Sequence, residues 1–345
     1  MKKIWFDLEN SPHAWILKDF IRAFEAQHFE CIITARDFAQ TFELCDYMGF
    51  HYEKIGQAAK SSSGIKKALS VVDRARLLWR YVNQERPVLC ISHGSRSQAL
   101  AAFALGIPVI SLDDYEFSFK WFNKFVTRLY TPFPIPKNSW GINPQKVIHY
   151  PGLKEELYLW NTSDYAGVEI PEVIPDKINI LFRPAGDFSH YQSEKSFELQ
   201  ERIIAEFSRL QNCNVILMAR SNEQRERLKA VFTERKISFT IPGKVLNGPA
   251  LIQKCDLMIG GGGTMTREAC VLNTPSYSFF NGEMGAVDKY LVEQGKLVML
   301  HEANEVDTIH FVKKANSADN PIKNEAFHFV LNSLNELLGR SLGTR

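Results

Sequence analysis

The sequence predicts an α/β protein with two parallel sheets, one in each half of the chain, and three observations predict it. The first is an internal repeat. Val88 to Pro108 reads V-L-C-I-S-H-G-S-R-S-Q-A-L-A-A-F-A-L-G-I-P and returns as Cys255 to Pro275, C-D-L-M-I-G-G-G-G-T-M-T-R-E-A-C-V-L-N-T-P. Gly94 falls on Gly261, Ala102 on Ala269, Leu105 on Leu272 and Pro108 on Pro275. Each copy is a short apolar run, a glycine-containing turn, a small-residue helix and a second strand, which is half of a mononucleotide-binding fold whose helix start attracts phosphate. The second observation is that strand-like and helical runs alternate along the whole chain, the pattern of parallel sheets covered on both faces. The third is an irregular stretch after Pro151-Gly152, holding Asn161-Thr162-Ser163-Asp164, Pro171 and Pro175, that reads as a linker between the two alternating halves.

The elements follow in order. Ile4-Trp5-Phe6 is a strand, after which Ile16, Leu17, Phe20, Ile21 and Phe24 recur at helical spacing. Cys31-Ile32-Ile33-Thr34 is the next strand, and the first repeat copy, with Val109-Ile110-Ser111-Leu112 after it, closes this half. Alternation restarts at Ile178-Asn179-Ile180-Leu181-Phe182. A helical run carrying Phe197, Ile203, Ile204 and Phe207 follows, then Val215-Ile216-Leu217-Met218, the second copy and Ser276-Tyr277-Ser278-Phe279. The segment from Asn324 to Leu338 puts Phe327, Val330, Leu331, Leu334 and Leu338 on one face of an amphipathic helix. The expected organisation is a first domain over 1–160, a second over 172–322, the two facing one cleft, and a terminal helix over 323–345 that packs back on the first domain.

Composition bounds the function. The chain has 345 residues, 45% hydrophobic and 23% charged, with a formal net charge of only +2, so nothing global favours nucleic acid as a partner. Six cysteines lie singly without a C-x-x-C pair, as small buried hydrophobes of a reducing compartment would. The N-terminus has no signal-peptide apolar region, and no run of eighteen apolar residues occurs. A cytoplasmic protein is expected, either free or peripheral on the inner face of the membrane.

Ligands of such folds bind beyond the carboxyl ends of the strands, so the chemistry is sought in the turns there. Gly260-Gly261-Gly262-Gly263-Thr264-Met265-Thr266-Arg267-Glu268 is the strongest local pattern. Its glycines let backbone approach a ligand, Thr264 can cap the helix that follows, and the helix start suits a diphosphate. Glu268, one turn in, is placed for a ribose hydroxyl pair; its alternative is a solvated glutamate. No G-K-[ST] follows, so this is not a P-loop. Arg183 and Arg220, each at the end of a strand in the second half, could neutralise that diphosphate.

In the first half, Asn10-Ser11-Pro12-His13 offers either a general base on an acceptor hydroxyl or an ordinary helix start, with Ser11 as cap and His13 exposed. His93, in Ser92-His93-Gly94-Ser95, either contacts the nucleotide sugar or merely ends a strand. Asp113-Asp114-Tyr115-Glu116 lacks the D-x-D spacing of metal-dependent glycosyl transfer, so no metal is expected; a solvated loop or a substrate contact is, with Asp114 and Glu116 as reserve bases. Tyr115 to Phe133 interleaves eight aromatics with Lys120, Lys124 and Arg128, which suits an anionic membrane surface but reads more readily as one packed helix. Ser61-Ser62-Ser63-Gly64, flanked by Lys60, Lys66 and Lys67, is a loop that either closes over a substrate or is simply solvated.

Four stretches together carry a family resemblance: Asp7-Leu8-x-Asn10-Ser11-Pro12-His13, Thr34-Ala35-Arg36-Asp37, Tyr150-Pro151-Gly152-Leu153-Lys154-Glu155 and Gly261-Gly262-Gly263-Thr264-Met265-x-Arg267-Glu268-Ala269. In that order they resemble the family known as domain of unknown function 354, over nearly the whole chain. That family is similar to GT-B fold proteins, namely the lipid-linked N-acetylglucosamine transferase of peptidoglycan synthesis and the non-hydrolysing UDP-N-acetylglucosamine 2-epimerase.

The resemblance implies two Rossmann-like domains, with Gly261, Gly262, Gly263, Thr264 and Met265 on a diphosphate and Glu268 on the ribose. It matches His13 to a histidine after the first strand of the transferase. His93-Gly94 is similar to the epimerase's His-Gly-Asp with Ser95 replacing Asp, and Phe182-Arg183 to its His-Arg pair with Phe replacing His. The epimerase also has an Arg-Pro-Glu run where His13 stands. With its set thus broken at three places, the reading favours a metal-independent glycosyltransferase of cell-surface polysaccharide, taking a nucleoside-diphosphate sugar, UDP-linked by analogy, as substrate and a glycan or lipid-linked acceptor, with no cofactor. Sugar-nucleotide epimerisation is the alternative, and a non-catalytic nucleotide-sugar-binding protein a further one.

Overall fold

The computed structural model describes residues 1–57, 64–186, 194–315 and 321–343; the loop expected at Lys60 to Ser63 lies outside them. The chain divides into two compact units. Unit one comprises Met1–Tyr158 with Lys323–Arg345, and unit two comprises Leu159–Ile322.

Unit one is built on strands β1 (Lys3–Leu8), β2 (Glu30–Asp37), β3 (Glu53–Gln57), β4 (Leu89–Ser92), β5 (Val109–Leu112), β6 (Arg128–Pro132) and β7 (Val147–Tyr150). They pair in the order β3-β2-β1-β4-β5-β6-β7, and every pairing is parallel. The order in which strands are added reverses between β1 and β4, where Asp7 lies opposite Ser92. In doubly wound folds ligands bind beyond the carboxyl ends of the strands at such a point. β1 is buried from Ile4 to Leu8, as a strand covered on both faces must be.

Unit two repeats the plan with β8 (Ile178–Arg183), β9 (Cys213–Leu217), β10 (Phe239–Thr240), β11 (Leu257–Gly260), β12 (Ser276–Ser278) and β13 (Val298–Met299). Their order is β10-β9-β8-β11-β12-β13, again parallel throughout. The switch point falls between β8 and β11, with Gly260 paired to Arg183. Phe182 centres the core, its ring 5.2 Å from Phe207 and 6.1 Å from Phe279. The two repeat copies become equivalent pieces: β4, helix Arg96–Ala104 and β5 in one, and β11, helix Thr264–Val271 and β12 in the other.

The terminal helix Glu325–Gly343 belongs to unit one. Phe327 packs on Phe20 at 4.9 Å between ring centroids, and Ser333 Oγ lies 2.8 Å from the Tyr130 hydroxyl. One expected element differs. Tyr115 to Phe133 is not a single helix: a short 3-10 helix at Lys120–Phe125 is followed by β6. The aromatics there stack on one another, Trp121 on Phe122 at 5.0 Å and Phe103 on Phe125 at 4.7 Å, while Phe119 and Trp121 remain half exposed. The physical reason is that the sheet needs a strand beside β5. Thr127 N–H donates to the Val109 carbonyl and draws the chain extended before a helix can propagate.

None of the six cysteines forms a disulfide. Burial pushes the Cys31 and Cys45 thiols up to about 12, so both are inert packing groups at neutral pH. Among the described residues no helix is long and apolar enough to cross a membrane.

Candidate active sites at the two switch points

In unit two the turn after β11 carries the glycines. A Cβ on Gly261 would stand 2.8 Å from Ala185 Cα, so only glycine lets this strand end pass the loop after β8. Gly262 has φ +83°, a left-handed conformation that glycine adopts without strain, with Phe280 against it. The helix Thr264–Val271 then begins with Gly263 as its cap, and no side chain closes that cap. Thr264 is therefore inside the helix rather than its cap, contrary to expectation: the turn holds one more glycine conformation, φ 104°, before helical dihedrals begin.

Two guanidiniums border the turn. Arg220 donates through Nη2 to the Gly262 carbonyl at 3.3 Å and through Nε to the Pro184 carbonyl at 3.3 Å. Arg183 donates through Nη1 to the Met218 carbonyl at 2.8 Å. Burial, helped by the Arg220 charge and opposed by Glu268, pulls the Arg183 guanidinium down to about 9. It remains a cation at neutral pH, yet a partly desolvated one that gains from an added anion. Glu268 is buried at 6% exposure, so the solvated alternative fails.

In unit one His13, His93, Asp114 and Lys154 come together beyond the ends of β1, β4, β5 and β7. His13 is 8% exposed, not the exposed histidine of an ordinary helix start. The helix Ser11–Ala26 is capped by Asn10, whose Oδ1 accepts from Ser11 N–H, rather than by Ser11. His13 Nδ1 accepts the Glu9 N–H at 3.2 Å, and its ring lies 5.0 Å from that of His93. Burial pushes His13 well below the ordinary histidine value; His93, Lys154 and Arg36 add to that and Asp114 opposes it.

His93 Nε2 lies 3.1 Å from Asp114 Oδ1, and Lys154 Nζ lies 2.7 Å from Asp114 Oδ2. Asp114 and Glu116 are buried, at 5% and 8% exposure, so this segment is not a solvated loop. The β5 end carries both into the interior. Asp113 accepts from Ser111 Oγ at 2.6 Å, and burial holds its carboxyl above the usual range.

Several functional candidates went unassigned in the sequence. Asp7, fully buried, accepts from both Nη atoms of Arg74 at 2.7 Å, from Ser95 Oγ at 2.5 Å and from Thr34 Oγ1 at 2.6 Å. Arg74 also reaches Glu9 at 2.9 Å, so this network fixes the backbone that holds His13. Lys154 and Glu155 were visible only as part of the Tyr150 to Glu155 motif. Their signal was position, directly past a strand end. Glu155 is fully buried with Lys154 Nζ 3.4 Å away. Among the described residues no group of three or more His, Cys, Asp or Glu is arranged to hold a metal ion.

The architecture has solved counterparts. The UDP-GlcNAc 2-epimerase of Methanocaldococcus jannaschii, in complex with UDP-GlcNAc and UDP, superposes with a TM-score of 0.74 at 17% identity, over 97% of this chain and 99% of that one. The Neisseria meningitidis UDP-GlcNAc 2-epimerase bound to UDP-GlcNAc gives 0.73 at 13%, over 97% and 100%. MurG of Acinetobacter baumannii gives 0.53 at 14%, over 97% and 100%. At these identities the likeness is one of fold, a GT-B-like pair of Rossmann-like domains. By sequence, an uncharacterized protein of Methanocaldococcus jannaschii is 26% identical over 317 residues, 88% of this chain and 89% of that protein. Residues 2–336 match the family described as Protein of unknown function (DUF354), and the chain belongs to that family.

Proposed function

We propose that this protein is a glycosyltransferase that takes its sugar from a nucleoside diphosphate, UDP by analogy with the solved neighbours, and passes it to a glycan or lipid-linked acceptor of the cell surface. The observation that carries the reading is the glycine turn at the unit-two switch point. A helix start without a side-chain cap, two arginines and a buried glutamate converge there on the place where a Rossmann-like fold holds a diphosphate. In this reading Gly261, Gly262, Gly263, Thr264 and Met265 contact the diphosphate with Arg183 and Arg220, and Glu268 takes the ribose. The leaving diphosphate is stabilised by the helix start and Arg183. The half-exposed Phe119 and Trp121, with Lys124 Nζ 3.4 Å from the Trp121 ring centre, support a peripheral contact with the membrane that holds a lipid-linked acceptor.

Epimerisation of the same donor is the second reading. It is favoured by the number of titratable groups in unit one, since epimerisation needs proton transfer without any acceptor. Titration calorimetry with UDP, GDP and ADP tests the shared part: binding of UDP by wild type and its weakening in Glu268→Ala are expected, and absence of any nucleotide binding ends both readings. Incubation with UDP-N-acetylglucosamine alone then separates them. Conversion without acceptor means epimerisation, and turnover only with a glycan or lipid acceptor means transfer. Binding with no turnover in either case leaves a nucleotide-sugar-binding protein.

A further inference from the structure

His13 stands first after β1 and invites the role of general base, but its hydrogen bonding opposes that role. A backbone N–H can only donate, so the Nδ1 that receives Glu9 N–H carries the ring's lone pair. In the neutral ring the hydrogen is then on Nε2, which can donate but cannot take a proton. Charging the ring would break the Glu9 bond and place a cation among His93, Lys154 and Arg36, with Asp114 opposing.

His93 has the opposite arrangement. Its Nε2 faces Asp114 Oδ1, an acceptor that already takes the Lys154 ammonium on its other oxygen, so Nε2 bears the hydrogen and Nδ1 keeps the lone pair. The charged and titratable groups around it are His13, Asp113, Asp114 and Lys154, and its side chain is 18% exposed.

We propose that His93, aligned by Asp114, is the proton acceptor of unit one, and that His13 acts beside it as a neutral Nε2–H donor. The inference rests on the glycosyl-transfer reading. An acceptor hydroxyl oxygen forms its bond to the anomeric carbon, and the bond from that carbon to the diphosphate oxygen breaks with its electron pair, releasing the nucleoside diphosphate. The hydroxyl proton passes to His93 Nδ1, and the resulting imidazolium returns it to water. Asp114 is a positioning residue that fixes the tautomer. His13 Nε2–H donates to an oxygen of the acceptor.

Long-range proton–nitrogen NMR of the full-length ¹⁵N-labelled protein, with signals assigned through His13→Gln and His93→Gln, tests this without any substrate. In the window around pH 6.5, where an unperturbed histidine is half charged, His13 is expected to stay a neutral Nε2–H ring. His93 is expected to be the Nε2–H tautomer when neutral, and Asp114→Ala to move its nitrogen shifts toward a mixture of tautomers. A His13 that takes the Nδ1–H form or becomes doubly protonated in that window overturns the proposal, as does a His93 unmoved by Asp114→Ala. Turnover gives a second readout. His93→Gln should lose about a hundredfold to ten-thousandfold in kcat with UDP affinity retained. His13→Gln, whose amide N–H can replace the donor, should keep more activity than His13→Ala. The reverse ranking, with His13→Gln as damaging as His13→Ala and His93→Gln nearly active, also overturns it. Lost UDP binding in wild type would instead remove the transfer reading, leaving the tautomer result to judge the histidines.

Discussion

Single side chains in unit one differ in how each is held. His13 is kept neutral by burial and by the cations around it, and that has a thermodynamic signature. The unfolded chain takes a proton on this ring near pH 6.5, whereas the folded protein does not. Stability therefore falls as pH drops below about 6.5, by up to about 1.4 kcal/mol per pH unit for this one proton, until the depressed folded value is reached. Asp7 works in a separate, lower window. Burial alone would raise its carboxyl, but Arg74, Ser95 and Thr34 together hold it below the usual range. Its contribution is present above about pH 3.9 and is lost as pH falls through the folded value. Urea unfolding of wild type and His13→Gln at a series of pH values checks the first window: the variant should show a flatter slope as pH falls below about 6.5. Equal slopes in the two proteins would mean that His13 titrates alike in the folded and unfolded states.

Elements were legible to the extent that their information is local. The repeat announced β4, β5, β11 and β12 with their helices because a glycine turn between an apolar strand and a small-residue helix is a short-range pattern. β6 was hidden inside the aromatic run: its pairing with β5 is a tertiary demand, and the rings there pack at spacings that a helix would also satisfy. The Asp7–Arg74 pair was illegible for a similar reason, since nothing near Arg74 in the helix Gly64–Glu85 marks a partner on β1. The glycine turn could be read as a turn, but its fit against Ala185 could not. That fit predicts a sharp difference between glycines. Gly261→Ala drives a Cβ into the Ala185 backbone, an overpacking that costs about 1–3 kcal/mol and displaces the turn. Gly243→Ala, with open space around its Cβ, should be nearly neutral. Denaturation midpoints and UDP titrations of the two variants give the comparison; if Gly261→Ala binds UDP as well as Gly243→Ala, the backbone approach at Gly261 is not what the nucleotide needs.

At the scale of the molecule, the path of the chain makes the two units unequal. Unit two is continuous, and its core from Ile180 to Ile309 is assembled wholly from its own segment. Unit one is closed by residues that follow unit two in the chain, since the helix Glu325–Gly343 returns to it. Phe327, Val330 and Leu334 on that helix are 4%, 0% and 0% exposed, and Tyr130 on β6 bonds to its Ser333. Burying each such apolar side chain contributes about 1.5–3 kcal/mol, so three of them amount to a large share of the roughly 5–15 kcal/mol that holds a domain folded. A protein ending at Ile322 should therefore lose unit one selectively. Hydrogen–deuterium exchange should show protection collapsing in the helix Ser11–Ala26, where Phe20 meets Phe327, and in β6 and β7, while β8, β9 and β11 stay protected. A synthetic peptide of residues 323–343 added in trans should restore part of the lost protection. Full protection of β6 and β7 without the helix would mean that the sheet supports itself. Equal collapse of β8 and β11 would mean that the second core depends on the first.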